Sequence, residues 1–493
     1  MPGAEHEVAA PRGTSAPGGG DARERFRLRR ITHWDRVARD FEARETGSAY
    51  HRRLAETYRH LIPEGARVLE IGCGTGDLLA ALRPSVGVGV DFSGETLRIA
   101  RARHAELTFV EQDGHELEVE GEFDYVILSD LVNDLWDVQG LLARVLRVCT
   151  PSTRLIVNLY SRLWEPPLAL ATRLRLKRPM LQQNWLTPAD LGQLLGLAGF
   201  EVLRGFQDVV WPVATPLVAR FANAVLSRLW PFRYLALTNF VVARPVPARG
   251  APARAPTVTV VVPARNEAGN IEQIMLRTPE MGGGTELVFV EGHSSDDTYA
   301  AIERCIAAHP ERRARLLRQM GKGKGDAVRL GFSVASGDVL MILDADLTVP
   351  PEDLPRFYDA LVAGKGEFIN GVRLVYPMEE RAMRFLNLLG NKFFSLAFSW
   401  LLGQSIKDTL CGTKVLWRRD YERIAANRAY FGDFDPFGDF DLIFGAAKQS
   451  LKLVDLPIRY GERTYGTTNI QRFRHGLILL RMVVFAAGRI KFV

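Results

Sequence analysis

Residues 68–79 read Val-Leu-Glu-Ile-Gly-Cys-Gly-Thr-Gly-Asp-Leu-Leu. An apolar run ending in Glu70-Ile71 meets three glycines, Gly72, Gly74 and Gly76, and then a helical pattern. Glycine accepts positive φ and lets the backbone come close to a ligand, so the stretch predicts a strand, a binding loop and a helix in succession. A dinucleotide fingerprint would need G-x-G-x-x-G with a helix N-terminus facing a pyrophosphate. Here Asp77 stands where the last glycine would be. A carboxylate there repels a pyrophosphate and tolerates a cationic ligand such as a sulfonium amino acid.

Two further acidic residues fall at strand ends. Asp91 closes the run Val86–Val90, nineteen positions after Gly72, where a carboxylate can accept both hydroxyls of a ribose. Asp113 follows Leu107–Glu111 and can accept from an adenine amino group. Further β-branched runs at Tyr125–Ser129, Leu155–Leu159, Glu201–Gln207 and Leu237–Ala243 alternate with helical patterns and predict an α/β domain with a largely parallel sheet.

This constellation resembles the class I S-adenosylmethionine-dependent methyltransferases over roughly residues 45–245. The resemblance implies a Rossmann-like seven-stranded sheet with a final antiparallel pair, and S-adenosylmethionine as cofactor. It places Glu70, Gly72, Gly74 and Gly76 around the methionine part, Asp91 with Phe92 on the ribose, and Asp113 with Gly114 beside the adenine. The methyl acceptor is less legible. Candidates are His33, Tyr50 and His51 before the glycine loop, and Asp130, Asn133 and Asp134 after the fourth strand. With no Asn-Pro-Pro-Tyr type motif, an oxygen acceptor is preferred.

The second half begins after the Pro/Ala/Arg-rich segment Arg244–Pro256, whose residues 246–256 read as a semi-stiff linker. The run Thr257–Val262 ends in Pro263-Ala-Arg-Asn266-Glu267, and Glu286–Val290 ends in Glu291-Gly-His-Ser-Ser-Asp296. A loop Gly321-Lys-Gly-Lys324-Gly-Asp-Ala327 opens a helix, Val339–Leu343 ends in Asp344-Ala-Asp346, and a fourth run spans Glu367–Asn370. Two carboxylates one residue apart at a strand end can hold a divalent cation, which bridges a diphosphate and neutralises a leaving nucleotide.

These motifs, in this order, resemble the GT-A fold glycosyltransferases of the large inverting family that includes the dolichol- and polyprenyl-phosphate sugar synthases. Gly371-Val-Arg373, Asp408-Thr-Leu-Cys-Gly-Thr-Lys414 and Arg463-Thr-Tyr-Gly466 extend the match through residues 257–493. The resemblance implies a nucleotide-sugar donor, a polyprenyl-phosphate or glycan acceptor and Mg²⁺ or Mn²⁺. Pro263, Asn266, Glu267, Glu291 and Asp296 would surround the nucleoside. Asp344 and Asp346 would manage metal and diphosphate, Lys324 would add positive charge at the same mouth, and Arg373 and Arg463 would contact phosphates. The acidic stretch Asp433–Asp441 would hold an acceptor-side carboxylate, Asp439 or Asp441, needed as a base only if the acceptor is a hydroxyl. Glu291-Gly292 departs from the adjacent aspartates of many relatives, and Thr348 stands where mannose synthases often carry Gln.

The whole chain is then expected to be a two-domain α/β protein. Residues 1–25 form a disordered tail, 26–245 the methyltransferase, 246–256 the linker and 257–493 the glycosyltransferase. Its 493 residues exceed one ordinary core, and 47% hydrophobic with 24% charged residues is a globular mixture. A net charge of +6 spread over scattered arginines suits an anionic substrate or membrane surface, and the basic aromatic groove of a nucleic-acid binder is missing. Cys73, Cys149, Cys305 and Cys411 form no CxxC pair, which points to a reducing, cytoplasmic setting. The segments 384–404 and 471–493 are apolar with basic flanks and fit helices lying in a lipid interface, so peripheral contact with the inner face of a membrane is expected. A bifunctional enzyme is the leading reading. A single-activity glycosyltransferase whose first domain only binds the adenosyl cofactor or a partner protein is the alternative.

Overall fold

The computed structural model describes residues 19–42, 48–174, 181–247, 254–373, 385–431, 438–459, 461, 463, 465 and 472–492. Strands β1 (Arg67–Ile71), β2 (Val86–Asp91), β3 (Thr108–Glu111), β4 (Phe123–Ser129), β5 (Cys149–Tyr160), β6 (Phe200–Asp208) and β7 (Thr238–Pro245) make one sheet, in the order β3-β2-β1-β4-β5-β7-β6. β1 to β5 run parallel, and β7 inserts antiparallel between β5 and β6. This is the Rossmann-like sheet with a final antiparallel pair that the resemblance implies.

The second sheet holds β8 (Val258–Ala264), β9 (Thr285–Glu291), β10 (Arg313–Arg318), β11 (Val339–Ile342), β12 (Phe368–Val372), β13 (Lys414–Trp417) and β14 (Leu453–Pro457), in the order β10-β9-β8-β11-β13-β12-β14. Its first four members are parallel, and β13 is antiparallel to both β11 and β12. Val261 packs into one apolar layer while Val260 and Val262 pack into the other, so β8 is buried on both faces. A strand in that position reads as an unbroken apolar run rather than an alternating one, which is why Thr257–Val262 stands out in the sequence.

Three strands escape a reading of the sequence. β10 is an edge strand whose Arg313, Arg315 and Arg318 blunt the open edge. β13 is only four residues long and opens with a buried lysine, Lys414. β14 closes the other edge and carries Asp455.

Two expected boundaries move. A helix already begins at Gly19 and runs to Glu42, so the tail assigned to residues 1–25 ends earlier, and residues 1–18 lie outside the described part. β7 runs two residues past the expected strand Leu237–Ala243, taking in Arg244 and Pro245. The reason is electrostatic. Buried Arg244 donates to Glu201 Oε1 at 2.7 Å and to the Gly364 carbonyl at 2.8 Å, and meets Glu367 Oε2 at 3.2 Å.

Glu367 is the centre of the join between the two domains. Buried Arg154, on β5, donates from Nη2 to both Glu367 oxygens at 2.8 Å and from Nε to the Ser450 carbonyl at 2.9 Å. The Lys452 backbone N–H adds a bond to Oε2 at 2.9 Å, and Lys452 Nζ pairs with Glu201. One buried carboxylate thus answers two buried guanidinium groups from the other domain. Removing one partner of such a set leaves charge uncompensated and typically costs about 3–5 kcal/mol. Glu367→Ala should therefore destabilise the chain by about that amount in urea unfolding and split one transition into two as the domains uncouple. An unchanged single transition would show that the join carries no energy.

Candidate functional site

The glycine loop behaves as its sequence requires. Gly72, Gly74 and Gly76 have φ of 73°, 52° and 75°, a region that side chains disfavour. A Cβ at Gly72 would lie 2.8 Å from Leu131 Cδ1. The Gly74 N–H donates to Asp91 Oδ2 at 2.9 Å, and the Ser93 N–H to Asp91 Oδ1 at 2.9 Å. Burial raises the Asp91 carboxyl above its ordinary range against these bonds. Glu70 is buried beneath the loop, and its Oε2 has no hydrogen-bond partner among the described residues. Burial, and then the charge of Asp91, push the Glu70 carboxyl well above its usual value.

A cleft with about 520 Å³ of empty space, partly open to solvent, lies over these strand ends. Gly72, Asp91, Phe92, Asp113 and Gly114 line it, whereas Glu70, Gly74 and Gly76 do not. Asp113 Oδ1 accepts from the His115 N–H at 2.9 Å and from His115 Nδ1 at 2.7 Å. Burial opposes ionisation of Asp113, but the His115 bonds outweigh it and hold the carboxyl below its ordinary range.

The opposite wall was not foreseen. Phe26, Arg27 and Arg30, from the helix Gly19–Glu42, close the cleft together with Trp136. Arg30 Nε donates to Asp134 Oδ1 at 2.9 Å and Trp34 Nε1 to Asp134 Oδ2 at 2.9 Å, while Ser93 Oγ donates to Asp35 at 2.6 Å. The inward stripe of this helix contains arginine, so no apolar period marks it. The spacing Phe26, Arg30, Trp34 is the signal that could have found it.

Of the acceptor-side candidates, Tyr50 and Asp130 come together. The Tyr50 hydroxyl donates to both Asp130 oxygens at 2.9 Å, Asn158 Nδ2 donates to Oδ1 at 2.5 Å and Tyr160 reaches Oδ2 at 3.4 Å. Asp130 has φ of 55°, a strained conformation for a residue with a Cβ. Burial pushes the Tyr50 and Tyr160 phenols well up, so both remain protonated. Asn133 is tied to the Asn184 carbonyl, and His51 Nδ1 sits 2.7 Å from Ser48 Oγ. His33 lies on the first helix, where burial lowers its imidazole below the ordinary value.

In the second domain the expected residues also gather at strand ends. Lys324 Nζ lies 2.6 Å from Asp344 Oδ1. Burial opposes the charged lysine, but Asp344 and Asp439 together raise its pKa above the ordinary value. Asp344 is correspondingly lowered, burial being outweighed by Lys324. Gly412 presses against this pair, since a Cβ there would collide with Asp344 Oδ2 and Lys324 Nζ. Asp346 Oδ1 accepts from Thr348 Oγ1 at 2.7 Å, and Oδ2 accepts from Arg463 Nη2 at 2.7 Å. Arg463 Nη1 also reaches Glu267 Oε1 at 3.5 Å, so one guanidinium spans the ends of β8 and β11.

The nucleoside set is held mainly by the turn after β9. Asn266 Oδ1 accepts from the Ser295 N–H at 2.8 Å, Glu291 from Ser294 at 2.5 Å, and Asp296 from Thr298 Oγ1 at 2.5 Å. Pro263, next to last in β8, lies beside Val290. Tyr465, not foreseen, packs over Gly269 and reaches Asp296 Oδ2 at 3.5 Å. Arg373 turns its guanidinium to Asp408 in a two-bond fork at 2.7 and 2.9 Å.

The structure separates the two candidate bases. Two residues apart on one helix, Asp439 and Asp441 point to nearly opposite sides. Asp439 Oδ1 lies 3.1 Å from Lys414 Nζ and close enough to raise Lys324, whereas Asp441 pairs with Arg428 at 2.8 Å. The earlier part of the acidic stretch, residues 432–437, and Gly466 lie outside the described residues. Among the described residues no three His, Cys, Asp or Glu converge as a metal cluster.

Fold and sites define a two-domain α/β transferase. A family model described as a methyltransferase domain matches residues 68–152, and one described as glycosyl transferase family 2 matches residues 259–424. The chain therefore joins a methyltransferase domain to a family 2 glycosyltransferase domain. It is 30% identical over 220 residues to a dolichol-phosphate mannosyltransferase of Pyrococcus furiosus, covering 43% of this chain and 59% of that relative. The chain thus spans less than two thirds of that relative's length. A solved S-adenosylmethionine-dependent methyltransferase from Thermotoga maritima aligns at 19% identity and TM-score 0.33, covering 43% of this chain and 99% of the other. Glucosyl-3-phosphoglycerate synthase from Mycobacterium tuberculosis aligns at 20% identity and TM-score 0.35, covering 48% and 80%.

Two measurements probe this geometry. Burial, more than the neighbouring charges, raises Glu267 from 4.5 to about 7. Between those values the folded chain holds a proton that the unfolded chain releases, so this contribution to stability falls as pH rises. The stability of the natural chain minus that of Glu267→Gln should decrease from pH 5 to pH 8 in denaturant titrations, and a constant or rising difference would refute the assignment. Asp441→Asn should lower stability by about 1–3 kcal/mol through its lost charged hydrogen bond and leave sugar transfer intact, whereas Asp439→Asn should depress transfer.

Proposed function

We propose that the chain is a bifunctional enzyme. In this reading the first domain transfers a methyl group from S-adenosylmethionine, and the second transfers a sugar from a nucleotide-sugar to a polyprenyl-phosphate or glycan acceptor with inversion. The observation that carries the reading is the gathering of acidic strand ends at two separate mouths, both reachable from solvent. The Asp344 and Asp346 side chains are 28% and 15% exposed.

The residues of the first site suit an adenosyl sulfonium. A Cβ at Gly74 would enter open space that a ligand can use, and the buried Glu70 Oε2, unpartnered among the described residues, is an acceptor suited to a cationic donor group. Glu70 would take the amino group, Asp91 the ribose, and Asp113 the adenine edge. When bound, the cofactor supplies an electrophilic methyl group, and the protein's task is alignment and, for a hydroxyl acceptor, removal of its proton. Asp130, held by Tyr50 and Tyr160, is our choice for that proton.

In the second site the donor set is hard oxygen, which suits Mg²⁺ or Mn²⁺ with the diphosphate completing the shell. Such an ion would neutralise charge on the departing nucleotide. Lys324 keeps its positive charge beside Asp344, and Arg463 is placed to exchange Asp346 for a phosphate. Asp439 would take a hydroxyl proton, and an ionised lipid phosphate would need no base. With no described helix long and apolar enough to cross a bilayer, access to a lipid-linked acceptor would be from the membrane surface.

The test is incubation with a panel of nucleotide-sugars and Mn²⁺ or Mg²⁺, with and without polyprenyl phosphate, alongside S-adenosylmethionine, with products identified by mass. Asp91→Ala should abolish methyl transfer and spare sugar transfer, and Asp346→Ala should do the reverse. Loss of both activities from either substitution would refute two independent sites.

A further inference from the structure

A second cleft, with about 540 Å³ of empty space and partly open to solvent, lies between the domains and away from both strand-end mouths. His60, Arg204 and Arg228 from the methyltransferase and Lys491 from the glycosyltransferase line it, with Lys448 close by. The charges there are poorly matched. Asp208 answers Arg53 and Arg228 at 3.1 and 3.0 Å, and Glu56 meets Arg53 at 3.3 Å. Lys448 turns its ammonium to the His60 carbonyl, and Lys491 donates to the Trp400 carbonyl at 2.8 Å. Arg204 has no ion pair or hydrogen bond among the described residues, and its Nε is buried without a partner.

Arg204 is half-buried, with its guanidinium carbon 5.9 Å from the Phe206 ring centroid, and a partly desolvated guanidinium with no counter-charge is costly unless a ligand supplies one. The strain reaches its neighbours. Burial lowers Arg204 to about 10, and burial with the surrounding cations lowers Lys448 and Lys491 to about 8 and His60 to about 2. The remaining wall is apolar, built from Leu61, Phe206, Leu401, Leu402 and Ile490. Basic groups beside such a wall suit an anion attached to a hydrocarbon.

We infer that this interdomain cleft is a binding site for a phosphate group, with Arg204 as its principal donor and the apolar wall receiving an attached chain. Both domains contribute to it, so occupancy would brace their relative orientation. The inference is independent of which sugar or methyl acceptor the strand-end sites use.

The test is titration calorimetry on the full chain with three probes: inorganic phosphate, dihexanoyl phosphatidic acid and farnesyl phosphate. Natural protein and Arg204→Gln are compared, with S-adenosylhomocysteine binding as a control for intact folding. At least one probe should bind the natural chain and weaken tenfold or more in Arg204→Gln, with the control unchanged. Tighter binding of either amphiphile than of inorganic phosphate assigns the apolar wall a role, and the two amphiphiles distinguish a phospholipid headgroup from a prenyl phosphate. Without ligand, Arg204→Gln should melt at the same temperature or higher, because an uncompensated charge is gone. No binding of any probe, equal binding by both proteins, or a lower melting temperature for Arg204→Gln would overturn the inference.

Discussion

A parallel sheet buried on both faces can present charge only where its strands stop, and both halves of this protein are organised around that constraint. Val68, Leu69, Val260 and Val261 are fully buried, so the middles of their strands offer nothing to solvent. The backbone turns outward at Gly72, at Asn266 and after Ile342, and the acidic residues sit at or just beyond those turns. Ligand sites follow from the architecture because the carboxyl ends of parallel strands are where loops from neighbouring strands converge.

The two mouths manage their carboxylates differently. In the methyltransferase domain Asp91 is satisfied by backbone N–H groups, and Glu70 is buried with one oxygen unpartnered among the described residues. In the glycosyltransferase domain Asp344 and Asp346 are already answered by Lys324 and Arg463. Lys324 and Arg463 thereby offset the two carboxylates within the folded chain. Arg154 and Arg244 spend their charge on Glu367 at the join instead, fixing one domain against the other.

Much of this was legible because the decisive residues are local in sequence. The glycine triplet and the Asp344-Ala-Asp346 step follow directly from their own strands, and eleven predicted runs coincide with strands of the two sheets. What escaped depends on long-range pairing. β10, β13 and β14 carry Arg, Lys or Asp in short segments, and only their neighbours make them strands. The first helix hides an inward face built around Arg30, which is buried because Asp134, over one hundred positions away, receives it. The acidic pair Asp439 and Asp441 looked equivalent in the sequence, and only the turn of their helix tells them apart.

The central claim is that two independent nucleotide-class sites stand at two sets of strand ends. Equilibrium dialysis of the full chain with S-adenosylhomocysteine and with nucleoside diphosphates plus Mn²⁺, separately and together, tests it most directly. The account predicts one equivalent of each ligand, bound additively. Displacement of one ligand by the other, or failure of either to bind, would contradict it.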